Sequence, residues 1–315
     1  MNIKEYLRYA TDSLKNANIE TPALEAGVML CHALKCDRIY LYAHDDRLLE
    51  KDELEVLSNM LAQRVNNNVP MQYIIGETEF MSLSFIVSPA VLIPRQDTEI
   101  LVEKCIELIN EMSISGQRSK SNEAKNIMVN KCSSNDKNVF KVLDMCTGSG
   151  CIAISIAHYC PDSRVMACDV SRDALSIAKT NSERNGVQDR LELRWGNLFE
   201  ALEGELQFDL IVSNPPYIET DTISELQKEV KNHEPNLALD GGQDGLDFYR
   251  RIVTIAPDYL TDGGYLAFEI GYNQGQSVKN LMQQRFYDIE VYKDFSGNDR
   301  VVIGRFLPPS VIPQL

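Results

Sequence analysis

The spacing of apolar positions divides the chain into regions of different period. Over residues 1–74 the period is helical, with Ile3, Tyr6, Leu7 and Ala10 on one stripe. Thr21-Pro22 reads as an N-cap followed by proline at the first helical position. Residues 50–66 continue the pattern until Asn66-Asn-Asn-Val-Pro70 interrupts it, so a small all-α domain is predicted over 1–74. Residues 76–93 read as a β-hairpin and Asp97 to Ile109 as an amphipathic helix, which makes 75–110 a linker. Apolar runs at 139–146, 164–169, 190–195, 208–213 and 264–270 then alternate with helical patterns at 150–159, 172–185, 244–260 and 274–286. That alternation predicts an α/β fold with a parallel, doubly wound, Rossmann-like sheet over 139–315, closed by an antiparallel hairpin at 289–305. Residues 111–138 turn to Ser, Asn, Lys and Gln with little periodicity, which predicts a polar flexible insert of unassigned role. No internal repeat is apparent.

Chemistry concentrates where the predicted strands end. Val139-Phe-Lys-Val-Leu-Asp144 runs into Met-Cys-Thr-Gly148-Ser-Gly150 and then a helical pattern, a strand, glycine turn and helix in series. Glycines there admit close backbone approach, and the helix start offers unpaired N–H donors, as a nucleotide-like cofactor requires. The dinucleotide fingerprint is absent, because position 146 is Cys and position 153 is Ala. Asp144 at the strand end suits a cofactor with a cationic amino-acid part better than a diphosphate. Asp169 ends the next strand, nineteen residues after Gly150, where a carboxylate can accept both hydroxyls of a ribose.

The run Phe208-Asp-Leu-Ile-Val-Ser213 ends in Asn214-Pro-Pro-Tyr217. Proline has no N–H, so the turn is stiff and its carbonyls stay outside a strand ladder. The Asn214 side-chain oxygen and the Pro215 carbonyl can each accept one N–H of a planar NH₂ group, with Tyr217 over its plane. An ordinary Pro-Pro turn after a buried strand has the same residues, and the upstream elements decide between the two. Together they predict an S-adenosylmethionine-dependent methyltransferase acting on nitrogen.

On these blocks the chain resembles the HemK/PrmC family, whose members methylate the side-chain amide of the glutamine in the Gly-Gly-Gln motif of peptide chain release factors. The resemblance runs nearly end to end. It includes Gly76-Glu-Thr-Glu-Phe80, Val91-Leu-Ile-Pro-Arg95-Gln-Asp-Thr-Glu99 and His233-Glu-Pro-Asn-Leu-Ala-Leu239, which leads into Gly241-Gly-Gln-Asp-Gly-Leu-Asp-Phe-Tyr-Arg250. Asn-Pro-Pro-Tyr is shared with enzymes that methylate nucleobase amino groups, whereas the Pro-Arg-x-x-Thr-Glu and Glu-Pro-x-x-Ala-Leu blocks are similar to the glutamine-specific group. Cys146 is a departure, standing where the family often has glycine.

The resemblance implies that Asp144, Cys146, Thr147, Gly148, Ser149 and Gly150 surround the methionine and sugar portion of S-adenosylmethionine. It places Asp169 on the ribose and Asn197 and Leu198 beside the adenine. Asn214 is the leading catalytic residue, with Pro215, Pro216 and Tyr217 completing the acceptor site. No general base is required, and neither His233 nor Glu234 is assigned as one. Arg95 and Glu99 have two readings, as ties between linker and catalytic domain or as direct substrate contacts.

Composition adds limits. With 31 Lys and Arg against 46 Asp and Glu the formal net charge is −15, and no basic cluster interleaved with aromatics appears. This disfavours a nucleic-acid substrate and suits either a basic protein partner or solubility alone. Rival readings are a glutamine methyltransferase of a ribosomal protein, a nucleobase amino-methyltransferase, and a cofactor-dependent binding module that would not need Asn214-Pro-Pro-Tyr217. No signal peptide or bilayer-spanning run is evident, so a cytoplasmic monomer is expected. The eight cysteines contain no Cys-x-x-Cys pair and are expected to be reduced and mostly buried, with no metal site. His32, His44 and His158 are expected to be packing residues within helices.

Overall fold

The computed structural model describes residues 1–115, 139–204 and 206–307. They form two compact units, one of Met1–Glu77 with Leu226–His233 and one of Thr78–Glu225 with Glu234 onward. Most of the polar insert, 116–138, lies outside the described residues, whereas Glu111 to Ser115 continue a helix.

The first unit is helical: α1 (Ile3–Asn16), α2 (Pro22–Leu34), α3 (Arg38–Ala43), α4 (Lys51–Asn67) and α5 (Met71–Ile75). A capping box starts α1, in which Asn2 Oδ1 accepts the Glu5 N–H at 2.8 Å and Glu5 Oε2 accepts the Asn2 N–H at 3.0 Å. Thr21 occupies the N-cap of α2 ahead of Pro22, but its side chain makes no capping hydrogen bond. The apolar stripe of α1, Ile3, Tyr6, Ala10 and Leu14, packs in one core with Met29 and Leu30 of α2 and Leu57 and Met60 of α4. Arg64 of α4 is buried, with two guanidinium nitrogens on Glu25 at 2.7 and 2.8 Å and a third on Glu229 at 2.6 Å. Glu229 lies on a short helix far along the chain (Lys228–His233), where His233 Nε2 also meets the Asn67 carbonyl at 2.8 Å.

In the second unit β1 (Glu77–Phe80) and β2 (Leu83–Ile86) form a hairpin shorter than the 76–93 expected. Its two-residue turn, Met81-Ser82, has φ of 50° and 57°, the mirror-type turn that follows strand twist. Helix α6 (Gln96–Ser115) outruns the expected 97–109. Seven strands make the main sheet: β3 (Phe140–Met145), β4 (Ser163–Asp169), β5 (Leu191–Trp195), β6 (Phe208–Ser213), β7 (Leu260–Glu269), β8 (Phe286–Lys293) and β9 (Asp299–Phe306). Their order is β5-β4-β3-β6-β7-β9-β8, with parallel pairing from β5 through β7 and antiparallel pairing of β9 to both its neighbours.

Both faces of this sheet are buried, and alternate residues of one strand enter different cores. Val142, Leu210 and Ala267 join the cluster containing Leu101 and Cys105 of α6 and Ile154 of α7 (Cys151–Tyr159). Leu143, Ile211 and Phe268 join the one containing Tyr249 and Ile252 of α10 (Asp247–Ile255) and Val278 of α11 (Gly275–Met282). With α8 (Arg172–Arg184) and α9 (Lys228–His233) the helix set is complete for the described residues.

Several expectations shift. Helix α10 is shorter than 244–260, because Gly245 precedes it at φ 69° and Pro257 lies in a 3₁₀ turn, Ala256–Asp258. Strand β7 begins at Leu260 rather than 264, taking Gly263 and Gly264 into the sheet at a register irregularity. His32, His44 and His158 are exposed rather than packed, and His44 stacks on Tyr40 at 4.2 Å. Seven cysteines within the described residues are free thiols, four of them buried. Among the described residues no helix is long and apolar enough to cross a membrane, and no cluster of side chains could hold a metal ion.

Candidate functional site

Parallel strands leave their carboxyl ends on one edge of the sheet, and a cavity opens there outside β3, β4 and β6. The turn after β3 forms part of its wall. Cys146 adopts φ 60°, a left-handed conformation that favours glycine, and Gly148 follows at φ 54°. At Gly150, φ 82°, an added Cβ would stand 2.9 Å from Ile154 Cδ1 and 3.1 Å from Ala178 Cβ, so α8 packs against a bare backbone.

Asp169 ends β4 at the same edge. Its Oδ2 accepts the Gly148 N–H at 2.9 Å and its Oδ1 the Ser171 N–H at 2.8 Å, which fixes the carboxylate on the wall with lone pairs to spare. Burial raises its pKa, and these backbone hydrogen bonds oppose the rise. Asp144 is fully buried beneath the turn, and its Oδ2 accepts the Thr147 hydroxyl at 2.6 Å. Desolvation pushes its carboxyl up to about 7, with Thr147 pulling the other way.

Asn197 and Leu198 follow β5. Leu198 is buried at φ 56°, and Asn197 Oδ1 accepts from Arg251 at 3.0 Å. At the end of β6 the Ser213 hydroxyl donates to the Met145 carbonyl at 2.7 Å, tying the start of Asn214-Pro-Pro-Tyr217 to β3. Asn214 Nδ2 lies 3.4 Å from Thr98 Oγ1. The chain beyond is held by 239–245: Ile218 N–H donates to the Leu239 carbonyl at 3.0 Å and Gly241 N–H to the Ile218 carbonyl at 2.8 Å. Gln274 Nε2 holds the Tyr217 carbonyl at 3.0 Å.

Of the residues expected from sequence, the fold brings Cys146, Gly148, Asp169, Asn197, Leu198, Asn214 and Pro216 together on the cavity wall. Asp144, Thr147, Ser149, Gly150, Pro215 and Tyr217 do not line it. The Tyr217 ring packs against the α10 and α11 core with its hydroxyl 3.4 Å from Glu269 Oε1, which differs from the expected stacking over an acceptor group. Arg95 is on the wall and forms an ion pair with the buried Glu234. Glu99 instead accepts the Met81 N–H at 2.6 Å and so fixes the hairpin turn.

Residues 5–76 match the family model described as the PrmC N-terminal domain, and residues 118–241 match the methyltransferase small domain. Over 304 residues the chain is 40% identical to the release factor glutamine methyltransferase of Geobacter sulfurreducens, covering 96% of each. Over 306 residues it is 39% identical to the protein of the same name from Clostridium acetobutylicum, covering 96% of this chain and 98% of that one. The chain belongs to the release factor glutamine methyltransferase family. It is accordingly a methyltransferase, and its methyl donor is S-adenosylmethionine. Its fold is similar to that of the hMettl16 catalytic domain, solved with a MAT2A 3′UTR hairpin, at TM-score 0.51 and 14% identity over 84% of this chain and 85% of that one.

The wall fits the family's donor. Its charged side chains are Asp169 and Arg95, and Arg95 is already paired, so no uncompensated cation awaits a diphosphate. Asp169 suits a ribose diol, the backbone of Gly148 leaves room for close approach, and Val91, Ile152 and Leu198 give an apolar surface for a purine.

Three residues that support this family site escape a reading of motifs. Asn181 of α8 is fully buried and bonds the Ser149 carbonyl at 2.9 Å and both backbone groups of Ile86 at 2.7 and 3.0 Å. Thr98, near the start of α6, is buried with its hydroxyl oxygen 3.4 Å from Asn214 Nδ2. Glu269 closes β7, where burial pushes its carboxyl up to about 7 against a hydrogen bond from Thr98 and the charge of Arg300. The apolar run before Glu269 was legible, but nothing local distinguishes this carboxylate from a solvated strand end.

Proposed function

We propose that this protein transfers a methyl group from S-adenosylmethionine to the N5 side-chain amide nitrogen of the glutamine in the Gly-Gly-Gln motif of peptide chain release factors. The observation that carries this reading is the placement of Asn214 on the same wall as Asp169 and Gly148, with Nδ2 turned to Thr98 and Oδ1 left to accept. When bound, S-adenosylmethionine supplies a methyl group already activated on a sulfonium.

The chain's own residues have to aim and polarise a weak nucleophile, because the lone pair of a carboxamide nitrogen is delocalised into its carbonyl. Asn214 Oδ1 accepts one N–H of the substrate amide and the Pro215 carbonyl the other; among the described residues no backbone hydrogen bond uses that carbonyl. Two acceptors push electron density back to nitrogen and fix its line of approach, so positioning and preorganised dipoles supply most of the catalysis. The helical N-terminal unit recognises the protein substrate in this reading, and the charge of −15 suits a basic partner.

The test offers methyl-labelled S-adenosylmethionine with unmethylated release factor, ribosomes, tRNA and DNA in separate incubations. Label on the release factor supports the reading. Label on a ribosomal protein or on nucleic acid, with none on the release factor, replaces its substrate.

A further inference from the structure

A second cavity opens beside the first. It measures about 640 Å³, within the range of about 300–1,000 Å³ typical of ligand sites. Leu237 and Phe248 line both cavities, and Leu237 is 56% exposed, so the two side chains form an apolar saddle between them. The rest of the second wall belongs to the loop that holds the acceptor turn. Asp240 Oδ1 accepts the Gly242 N–H at 3.0 Å and the Thr220 hydroxyl at 2.7 Å, and the Thr220 N–H donates to the Gly242 carbonyl at 3.0 Å. Gly242 stands at φ 90°, and an added Cβ there would meet Asp247 Oδ2 at 2.1 Å, so only bare backbone fits that stretch of wall.

We infer that this second cavity receives the stretch of release-factor chain adjoining the methylated glutamine, so that one peptide lies across both cavities. Its charged side chains are Asp240, Asp247, Arg250 and Arg251, two of each sign. Arg250 is held by Asp244 at 2.9 Å and by Asp247 at 3.1 Å, so the wall carries no surplus positive charge for the phosphates of a nucleic acid. It offers instead donors and acceptors side by side, which is what a peptide backbone requires. The guanidinium of Arg251 gives one N–H to Asn197 Oδ1 at 3.0 Å and has others for peptide carbonyls.

The inference rests on the reading of a Gly-Gly-Gln glutamine as the methyl acceptor and deepens it. Glycine has no side chain, so the two residues before the glutamine can pass over Leu237 and Phe248 without a clash. No reacting atom enters the second cavity. Contacts made there are therefore equal in the ground and transition states, and they appear in KM for the protein substrate rather than in kcat.

The experiment measures KM for intact, unmethylated release factor, kcat, and Kd for S-adenosylmethionine in the wild type, Asn236→Trp, Asn236→Ala and Leu237→Asp. Asn236 is exposed and lines the second cavity but not the first, so a tryptophan there fills the cavity without entering a core. The expected result is a KM raised roughly tenfold or more in Asn236→Trp, with kcat and cofactor Kd unchanged, and a KM near that of the wild type in Asn236→Ala. Leu237→Asp sets a carboxylate on the saddle and raises KM by a similar factor. A wild-type KM in Asn236→Trp or in Leu237→Asp overturns the inference, as does an equal rise in both Asn236 variants. A rise in Asn236→Trp that comes with a loss of kcat or of cofactor affinity marks a displaced acceptor turn and overturns it too. If Asn236→Trp does not fold, Leu237→Asp decides alone. No methyl group on the release factor with the wild-type protein withdraws the reading of the substrate instead.

Discussion

Asn181 Nδ2 lies 2.9 Å from the carbonyl oxygen of Ser149 and joins the middle of α8 to the turn that shapes the cofactor cavity. The same carboxamide also accepts from the N–H and donates to the carbonyl of Ile86, so the hairpin end and the glycine turn share one support. Asn181→Ala removes the partner of the buried Ser149 carbonyl and of the half-buried N–H and carbonyl of Ile86. The expected cost is about 2–4 kcal/mol of stability, with cofactor affinity weakened at least tenfold. Thermal unfolding and isothermal titration with S-adenosylhomocysteine check both numbers, and wild-type values in each refute the assignment.

Asp169 pins the Gly148 N–H and keeps lone pairs for the cofactor. Asp169→Ala removes a charged acceptor and should raise the Kd for S-adenosylmethionine by roughly ten- to a hundredfold. An unaltered Kd contradicts the ribose assignment.

Gly241 backs the tetrapeptide, and a Cβ added there would stand 2.6 Å from Tyr217 Cα and 2.9 Å from the Pro216 carbonyl oxygen. Gly241→Ala must therefore move the acceptor turn. It should lower kcat by about tenfold or more while cofactor affinity changes little, since the Asp169 side of the cavity is untouched. Equal kcat in variant and wild type, measured at saturating cofactor, excludes this role.

How much of this was readable in the chain depended on whether the residues of a feature lie next to one another. Asn214 to Tyr217 and Asp144 to Gly150 are contiguous, and each follows an apolar run that ends on the same edge of the sheet, so motif and location were legible together. The contact behind Asn214 draws on positions 98 and 214, and no local pattern connects a threonine early in a helix to an asparagine after a distant strand. Asn181 was hidden for the same reason, being an ordinary polar residue in an amphipathic helix until tertiary packing buries it. Helix limits were misjudged where glycine or proline sat beside helical periodicity, as at Gly245 and Pro257 around α10. Glu229 of α9 reaches Arg64 across most of the sequence, so a unit boundary drawn from composition could not include it.

Two buried carboxyls make stability fall with pH. Asp144 and Glu269 are each pushed up to about 7 by burial, above their ordinary values. Between pH 4 and 7 the folded state holds protons that the unfolded chain has lost, so unfolding free energy decreases across that window. For Glu269 the loss is on the order of 3 kcal/mol, complete by about pH 8. The stability difference Glu269→Gln minus wild type, followed by urea denaturation, should therefore grow as pH rises from 4 to 8. A difference that is flat or shrinking over that range contradicts the placement of an ionisable group in a dry site.

The central claim is that the methyl group goes to a glutamine side-chain nitrogen held by Asn214. Its most direct test is fragment-ion mass spectrometry of a release factor after reaction with the wild-type protein and with Asn214→Ala. The account predicts one added methyl on the side chain of the Gly-Gly-Gln glutamine with the wild type, and a loss of several orders of magnitude in its rate of appearance with the variant at unchanged cofactor affinity. A methyl group on any other atom, or equal rates with the two proteins, contradicts it.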